Sequence, residues 1–105
     1  MKTRLSHIQN WSVLAQASNW SALTLAKQCG VSLRTLERYF LKEMGKTPKV
    51  WLVDQRQRQA AKLFQHGSSV KETAYGLGYK HVAHFSRDFK EFWGNSPTTR
   101  PAQLQ

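Results

Sequence analysis

An internal repeat is the feature that most limits what this 105-residue chain can fold into. Six landmark residues of the first half recur in the second half, 48 or 49 positions later. The gaps between landmarks are 4, 6, 4, 5 and 3 residues in the first copy, and 4, 7, 4, 5 and 3 in the second. The landmarks are Ala26, Gly30, Leu36, Phe40, Gly45 and Pro48, then Ala74, Gly78, Phe85, Phe89, Gly94 and Pro97. Agreement at so many positions predicts one supersecondary unit that is built twice.

The first copy has the pattern of a helix-turn-helix. Gly30 suits the left-handed end of a short helix, and Ser32 offers a side-chain oxygen to cap the next one. The next helix is expected to extend to about Met44 and, at about 100° per residue, to have two distinct faces. One face holds Leu33, Leu36, Phe40 and Met44, and the other holds Arg34, Arg38, Leu41 and Lys42. A short helix, a tight turn and a longer helix with a basic outer face predict a helix-turn-helix.

The second copy repeats this design. Ser69 and Glu72 form a predicted capping box at the start of a short helix over Val70 to Leu77. Gly78 and Tyr79 make the turn, and the longer helix is expected to run from about His81 to Phe92. Its predicted buried stripe is Phe85, Phe89 and Phe92, whereas Ala83, Ser86, Arg87 and Lys90 point away from the stripe. An outward arginine therefore occupies the same place in both copies.

The segment between the copies is rich in good helix formers and predicts a helix from Pro48 to Gln65. Such a helix would be about 27 Å long, whereas successive major grooves on one face of B-DNA lie about 34–36 Å apart. The shortfall predicts either tilted helix-turn-helix units or DNA that is bent. The expected organisation is an N-terminal subdomain over residues 1–46, a linker helix over 47–66 and a C-terminal subdomain over 67–105.

Two further helices are predicted outside the copies. Apolar residues at spacings of three and four predict an amphipathic lead helix over residues 3–17, followed by a break at residues 19–21. After the second copy, Ser96 and Pro97 are expected to open a short last helix that Pro101 limits.

Charge and cysteine content narrow the functional classes. Sixteen Lys and Arg against six Asp and Glu give a formal net charge of +10, which favours a polyanionic partner: nucleic acid first, an anionic membrane surface second. The single cysteine, Cys29, excludes an intramolecular disulfide and a multi-cysteine zinc site, and is interpreted as a small apolar filler in a reducing compartment. No apolar run approaches the 18 residues of a membrane span, and the N-terminus lacks the apolar stretch of a secretory signal.

These residues resemble those of a known family. Gly30-Val31-Ser32, followed by Leu36, Arg38 and Phe40, resembles the first helix-turn-helix of the AraC/XylS (arabinose-regulator) family. Residues 56–64 resemble that family's linker helix, in which an arginine is followed four residues later by alanine. The longest match is residues 70–97, which carry the family's motif. In chain order that motif is an aliphatic residue, Ala, Gly followed by an aromatic residue, Phe, Ser-Arg, Phe-Lys, Gly and Ser-Pro. The resemblance covers about residues 5–100 and implies an all-α fold of seven helices, with two homeodomain-like helix-turn-helix subdomains joined by a long linker helix.

The function implied by the resemblance is that of a bacterial transcription factor. Such a regulator, more often an activator, binds double-stranded DNA sequence-specifically and places two recognition helices in successive major grooves. The resemblance also implies RNA polymerase as a partner, a cytoplasmic and nucleoid-associated location, no membrane partner and no cofactor. Because one chain carries both units, we expect the domain to be monomeric.

The resemblance carries DNA contacts to particular positions. Base contacts are implied for Leu33, Arg34, Thr35, Glu37 and Arg38 in the first copy and for Val82, Ala83, Ser86 and Arg87 in the second. Arginine pairs with guanine, glutamate accepts from cytosine, and small apolar side chains contact the thymine methyl group. Phosphate contacts are implied for Ser32, Lys42, Lys80, His81 and Lys90. For Glu37 the alternative is an ion pair with Arg34 or Arg38.

Three positions depart from the family pattern. Thr73 stands where an aliphatic residue is usual, and Gly76 lies inside a short helix. Arg100 stands alone where the family usually has an aromatic residue beside an arginine. These departures bear on the rigidity of the second copy and on the last helix.

Two rival classes of function remain at this stage. A basic interaction module would bind RNA polymerase or another regulator and touch DNA only through charge, without sequence preference. An enzyme would use the domain as a DNA handle, but no nucleophile with a base and no carboxylate pair stands out, so no catalytic residue is predicted. His81 and His84 lack a clearly spaced thiol or carboxylate to complete a metal site, so no metal is predicted. The four tryptophans are interpreted as core residues.

Overall fold

The computed structural model describes residues 4–97, which contain six α-helices, one short 3-10 helix and no strand. The 3-10 helix, η1, is Arg4–His7. The α-helices are α1 Trp11–Ala17, α2 Ala22–Gln28, α3 Leu33–Met44, α4 Pro48–Gln65, α5 Val70–Gly76 and α6 Val82–Trp93. The all-α prediction is therefore confirmed, and residues 4–97 contain six α-helices where seven were expected for the whole chain. The predicted last helix, with Pro101 and Arg100, lies beyond residue 97 and outside the described residues.

The predicted lead helix over residues 3–17 is wrong as one element. The structure has η1, a break at residues 8–10 and then α1. The amide of Ile8 donates to the Leu5 carbonyl three residues back, at 3.1 Å, which ends the tight 3-10 turn. Asn10 occupies the position before α1, with a non-helical backbone and without a side-chain capping bond. The periodic apolar residues thus lie on two short elements and on Ile8 between them, and all pack toward the core. Periodicity alone does not distinguish this arrangement from one helix.

The chain divides into two compact units, with the boundary between Gln55 and Arg56, inside α4. The first unit (residues 1–55) contains η1 to α3 and the first part of α4, and the second unit (from residue 56) contains the rest of α4, α5 and α6. Each unit is described by itself below. None of the helices within residues 4–97 combines the length and the apolar character needed to cross a bilayer.

The turn between the two helices of each unit has the same hydrogen-bonded geometry. Gly30 and Gly78 both adopt left-handed backbone conformations, with φ of 72° and 85°. After each glycine an amide donates five residues back: Val31 to Ala26 at 3.1 Å, and Tyr79 to Ala74 at 3.0 Å. This is the Schellman helix end, which requires a residue that tolerates positive φ. The sequence repeat is therefore a repeat of backbone geometry.

The first unit is packed around apolar and aromatic side chains. Its buried residues come from η1 and all four helices that the unit contains: Leu5, Ala15, Leu25, Ala26, Cys29, Leu36, Phe40 and Leu52. Three partly buried aromatic rings, Trp11, Tyr39 and Trp51, pack around Phe40 with centroid distances of 5.0, 6.3 and 5.3 Å. Edge-to-face pairs of this kind stabilise a core by about 0.5–1.5 kcal/mol beyond the area that they bury. Trp11 and Trp51 are thus core residues, as predicted, and Cys29 is a buried free thiol.

The second unit packs α4, α5 and α6 around three phenylalanines. Phe64 lies 6.1 Å from Phe85 and 5.6 Å from Phe89, measured between ring centroids. Phe85 and Phe89 are fully buried as predicted, whereas Phe92 is only half-buried and packs on Trp93 at 4.9 Å. The predicted buried stripe therefore does not include Phe92, although Phe92 lies within α6.

Candidate nucleic-acid interface

Helix α3 begins at the predicted cap. Ser32 Oγ accepts a hydrogen bond from the Thr35 amide at 3.1 Å and donates to Thr35 Oγ1 at 3.0 Å. The Ser32 proton is used inside the helix cap, so a phosphate at this end would bind backbone N–H groups of the first turn more readily than this hydroxyl. Thr35 Oγ1 is the acceptor in that bond and keeps its own proton as a donor.

The outer face of α3 is polar and positively charged. Leu36 and Phe40 anchor the inner face, whereas Arg34, Arg38 and Lys42 are exposed. Within residues 4–97 no ion pair joins Glu37 to Arg34 or Arg38, so the alternative role for Glu37 finds no support there. The cations of α3 thus point to solvent, where a polyanion would meet them.

A groove of about 300 Å³ lies alongside α3 in the first unit. Helix η1 forms one wall with Leu5 and Ser6, and α3 forms the other. The α3 wall brings together three predicted contact residues, Thr35, Arg38 and Lys42. The remaining lining residues are Tyr39 and Glu43. The basic face of α3 is therefore concave on the side next to η1.

Helix α6 is the counterpart of α3 in the second unit. It begins after His81, which occupies the cap position without making a side-chain capping bond. Phe85 and Phe89 anchor it, and Arg87 and Lys90 are exposed. Arg87 follows Phe85 by two residues, as Arg38 follows Leu36. Each unit therefore exposes one arginine at the same position relative to a buried anchor.

Most predicted DNA-contact residues lie at the surface of their own unit. The exposed ones are Ser32, Arg34, Thr35, Glu37, Arg38, Lys42, Lys80, His81, Ala83, Arg87 and Lys90. The half-buried ones are Leu33, Val82 and Ser86. The predicted contact residues of the first copy lie along α3 and its cap, and those of the second copy lie along α6 and the turn before it. Whether these residues contact DNA stays a prediction.

Sequence reasoning missed a polar network in the second unit. Arg56, on α4, donates to the Leu77 carbonyl through Nε at 3.2 Å and Nη2 at 2.8 Å. Its guanidinium carbon also lies 3.7 Å from the centroid of the Tyr79 ring. Burial lowers the pKa of Arg56, and the nearby Tyr79 and Asp88 oppose that shift. Arg56 therefore fastens α4 to the end of α5 and to the turn before α6.

The network continues through the Tyr79 hydroxyl to α6. Gln57 Nε2 donates to Tyr79 Oη at 3.3 Å, and Tyr79 Oη donates to Asp88 Oδ2 at 3.0 Å. Burial, the largest cause, together with the Asp88 carboxylate, raises the pKa of Tyr79 to about 12, so the phenol remains a donor at neutral pH. The signal available in the sequence was Asp88 itself, a rare acid beside a predicted DNA-contact arginine.

The start of α5 is the predicted capping box. The Glu72 amide donates to Ser69 Oγ at 3.0 Å, and the Ser69 amide donates to Glu72 Oε1 at 2.8 Å. The hydrogen bonds from Ser69 lower the pKa of Glu72. The short helix before the turn is therefore held at both ends.

The two histidines near the start of α6 were considered as a metal site. His81 and His84 lie 5.3 Å apart between ring centroids. Among the residues that the structure describes, no group of three or more His, Cys, Asp or Glu side chains is placed to hold a metal ion.

The sequence of this chain matches a known protein family. A family model described as a helix-turn-helix domain matches residues 25–100, more than half of the chain. The chain belongs to the AraC/XylS family of helix-turn-helix proteins. The family resemblance of the sequence is thereby confirmed.

Two solved structures resemble this AraC/XylS member over most of its length. One is a transcriptional regulator with an AraC-type DNA-binding domain from Chromobacterium violaceum, with a TM-score of 0.71, 28% identity, and coverage of 88% of this chain and 87% of that one. The other is a DNA-binding transcriptional dual regulator from Escherichia coli K-12, with a TM-score of 0.72, 24% identity, and coverage of 88% and 86%. The second likeness concerns the fold alone.

Curated relatives are longer than this chain. An uncharacterized HTH-type transcriptional regulator, YidL, from Escherichia coli K12 is 39% identical over 80 residues, which is 75% of this chain and 27% of that protein. The HTH-type transcriptional activator RhaS from Escherichia fergusonii is 35% identical over 109 residues, which is 97% of this chain and 38% of that protein. The chain therefore spans between about a quarter and two fifths of the length of these relatives.

Proposed function

We propose that this chain is a transcriptional regulator that binds double-stranded DNA sequence-specifically, with α3 and α6 as its two recognition helices. The observation that supports this proposal is that both units have the same helix-turn-helix geometry. Each helix follows the same Schellman turn, is anchored by two buried residues and exposes one arginine two residues after the first anchor. A helix that follows such a turn and exposes a basic face is suited to the major groove.

The contacts divide into two kinds. Arg38 and Arg87 are the proposed guanine-binding residues, because a guanidinium matches the O6 and N7 acceptors of guanine. Lys42, Lys80 and Lys90 are the proposed phosphate contacts, which hold the protein in register without specifying sequence. The net charge of +10 supports the second kind of contact, and each neutralised phosphate adds about 0.9 to the salt slope.

Helix α4 is proposed to act as the linker between the two DNA-binding subdomains, over residues 47–66, with subdomains at 1–46 and 67–105. Its eighteen residues carry it through the boundary between the two compact units. The two recognition helices would then occupy successive major grooves. Monomeric binding follows from this arrangement, because one chain supplies both recognition helices.

Activation of transcription, with RNA polymerase as partner, is the proposed outcome of binding. The relative named as an activator, RhaS, supports the direction of regulation. Val50 and Val53 lie three residues apart on α4 and are 55% and 47% exposed, which suits a protein contact. A soluble bacterial regulator of this kind would work in the cytoplasm, at the nucleoid, without a cofactor or a catalytic site.

The alternative function is a basic interaction module that touches DNA only through charge. The same exposed pair, Val50 and Val53, favours a protein partner. Such a module would bind all duplexes equally and lose affinity steeply with salt. Sequence preference therefore separates the two functions.

The test is selection from a random duplex library of about 25 base pairs at near-physiological salt, which spans two half-sites one turn apart. The proposal expects enrichment of two sequence blocks at that spacing. One block would remove the base-contact role of one helix. No enrichment would overturn sequence-specific binding and favour the interaction module.

The geometry of bound DNA is a separate question. A linker helix of about 27 Å is shorter than the spacing of the grooves. We therefore expect a bend of a few tens of degrees, at a cost of roughly a few kcal/mol. A gel-phasing assay that finds straight DNA would remove the bend and leave the binding proposal intact.

A further inference from the structure

Asp88 lies on α6 directly after Arg87, and its carboxylate faces a buried group and an exposed one. Oδ2 accepts the hydrogen bond from Tyr79 Oη at 3.0 Å. Oδ1 lies 3.8 Å from Arg87 Nε, and the two side chains are 40% and 66% exposed. At that distance the contact with Arg87 is electrostatic and not a hydrogen bond. Asp88 therefore connects the interior of the second unit to the arginine proposed to contact a base.

Tyr79 is fixed on several sides. The Arg56 guanidinium lies over its ring at 3.7 Å, and the Phe85 ring packs against it at 5.3 Å. Gln57 donates to its hydroxyl at 3.3 Å. Because Tyr79 has little freedom to move, the carboxylate that accepts its hydrogen bond is held in one orientation.

The sign of the Asp88 charge is unfavourable for DNA affinity. Only six acidic residues stand against sixteen Lys and Arg, and this one lies on a proposed recognition helix. A carboxylate near phosphates is repelled, so it lowers affinity for every sequence. A carboxylate beside a long, mobile arginine also restricts that arginine to fewer orientations, which favours a contact with one fixed base edge.

We propose that Asp88 is a positioning residue that orients Arg87 toward one base and so lowers general DNA affinity while raising sequence discrimination. This inference rests on the proposed function, because it needs α6 to contact bases. The counterpart of Asp88 in the first copy, 49 residues earlier, is Tyr39. A carboxylate next to the outward arginine is therefore present in the second unit and absent at the equivalent position of the first.

The experiment measures the affinity of Asp88→Asn for the selected site, for that site with each base pair changed singly, and for random duplex. Asparagine still accepts the Tyr79 hydrogen bond, so only the charge is lost. We expect random-duplex affinity to rise about two- to fivefold and discrimination at one base position to fall about three- to tenfold. That loss is part of the roughly 5- to 150-fold that a good bidentate pair provides. A merely structural role would not raise affinity while lowering specificity.

Glu91→Gln is the matched control, because it removes the same charge from an exposed position on the same helix. It should raise random-duplex affinity by a similar factor and leave discrimination within about twofold. Tyr79→Phe removes the hydroxyl without a charge change. It should lower discrimination at the same base without raising random-duplex affinity. Thermal unfolding of the variant checks that it is folded.

Combination with Arg87→Ala tests the route of the effect. In that background Asp88→Asn should cause no further loss of discrimination, because the residue through which it acts is gone. The inference is overturned if Asp88→Asn and Glu91→Gln behave alike, or if Arg87→Ala leaves discrimination unchanged. If the wild-type chain has no sequence preference, the proposed function fails, and this inference fails with it. A selective wild type with indistinguishable Asp88 and Glu91 variants overturns the inference alone.

Discussion

The two units share a turn geometry and differ in what supports it. In the first unit Val31 and Tyr39 stand where the second unit, 48 and 49 positions later, has Tyr79 and Asp88. Rings around Phe40 support α3, whereas α6 is supported by the rings of Phe64, Phe85 and Phe89 and, in addition, by the network of Arg56, Tyr79 and Asp88. The same helix-turn-helix geometry is thus held by packing in the first unit, and by packing together with directional polar contacts in the second.

Buried polar groups are expected to lower the stability of the second unit relative to the first. Three buried side-chain polar atoms of the described residues have no hydrogen-bond partner, and all three lie in the second unit: Gln57 Oε1, Thr73 Oγ1 and Trp93 Nε1. An unsatisfied buried polar group costs about 1–3 kcal/mol. A polar network also depends on every member, while an aromatic cluster tolerates the loss of a contact. We therefore expect the second unit to open before the first in native-state hydrogen exchange.

The largest effect is expected for Arg56→Met, which keeps the length of the side chain but removes both donors to Leu77. The loss of a charged hydrogen bond and of the cation–π contact should destabilise the second unit by about 2–4 kcal/mol. Amides of α5 and α6 should exchange faster, while those of α2 and α3 stay protected. Lys62→Met, at an exposed position on the same helix, is the control and should stay within about 0.5 kcal/mol of wild type. Equal acceleration in both units would contradict the separate support of the two frames.

Thr73→Val should make the second unit more like the first. Thr73 is fully buried with its hydroxyl unpaired, and its counterpart 48 residues earlier is the buried Leu25. Replacing the hydroxyl with a methyl group should stabilise the protein by about 1 kcal/mol. Urea unfolding measures the change, and Thr24→Val, at an exposed site, is the control. A loss of stability would show that the hydroxyl has a partner in solution.

Gly76→Ala tests the end of α5, where Gln28 is the counterpart in the first unit. A Cβ built at Gly76 meets no atom within 4 Å, and this glycine lacks the positive φ of its neighbour Gly78. Alanine should therefore stabilise α5 by up to about 1 kcal/mol through helix propensity alone. Thermal unfolding checks the sign, and a lower melting temperature would mean that the turn needs glycine here.

The smallest effect concerns the capping box, which the first unit lacks. Hydrogen bonds from Ser69 lower the pKa of Glu72 in the folded state, so the unfolded state binds more protons as the pH falls past the ordinary glutamate pKa. The contribution of Glu72 is therefore complete above that pKa and is lost as the pH falls through the folded pKa. Glu72→Gln keeps an acceptor without titrating. Its stability relative to wild type should improve as the pH falls from 6 toward 3, and a constant difference would contradict the shift.

The caps and turns of both helix-turn-helix units are predictable from the local sequence. Ser32, Ser69, Gly30 and Gly78 were identified as caps or turns because each acts on residues within a few positions along the chain. The longer helix of the second unit was placed one residue early at each end. The lead helix was wrong, because the apolar spacing of residues 3–17 fits two short packed elements as well as one helix.

The network escaped prediction for a different reason. Arg56 meets the Leu77 carbonyl 21 residues away, and Tyr79 meets Asp88 nine residues away. Such pairs depend on how α4, α5 and α6 pack, which no local pattern states. The outward faces of α3 and α6 were predictable from the helical spacing of their apolar residues. The base contacts were assigned by family resemblance, and they remain predictions.

The most direct test of base contact by both helices compares Arg38→Ala with Arg87→Ala on the selected DNA site, with every base pair varied singly. Each variant should lose about 1–3 kcal/mol on the cognate site and relax preference at one base position, in a different block for each arginine. Lys42→Ala and Lys90→Ala, one on each helix, should weaken cognate and random duplexes about equally. If the arginine variants also lose equal affinity for cognate and random duplexes, the two helices do not contact bases through these arginines, and the proposed recognition by Arg38 and Arg87 is wrong.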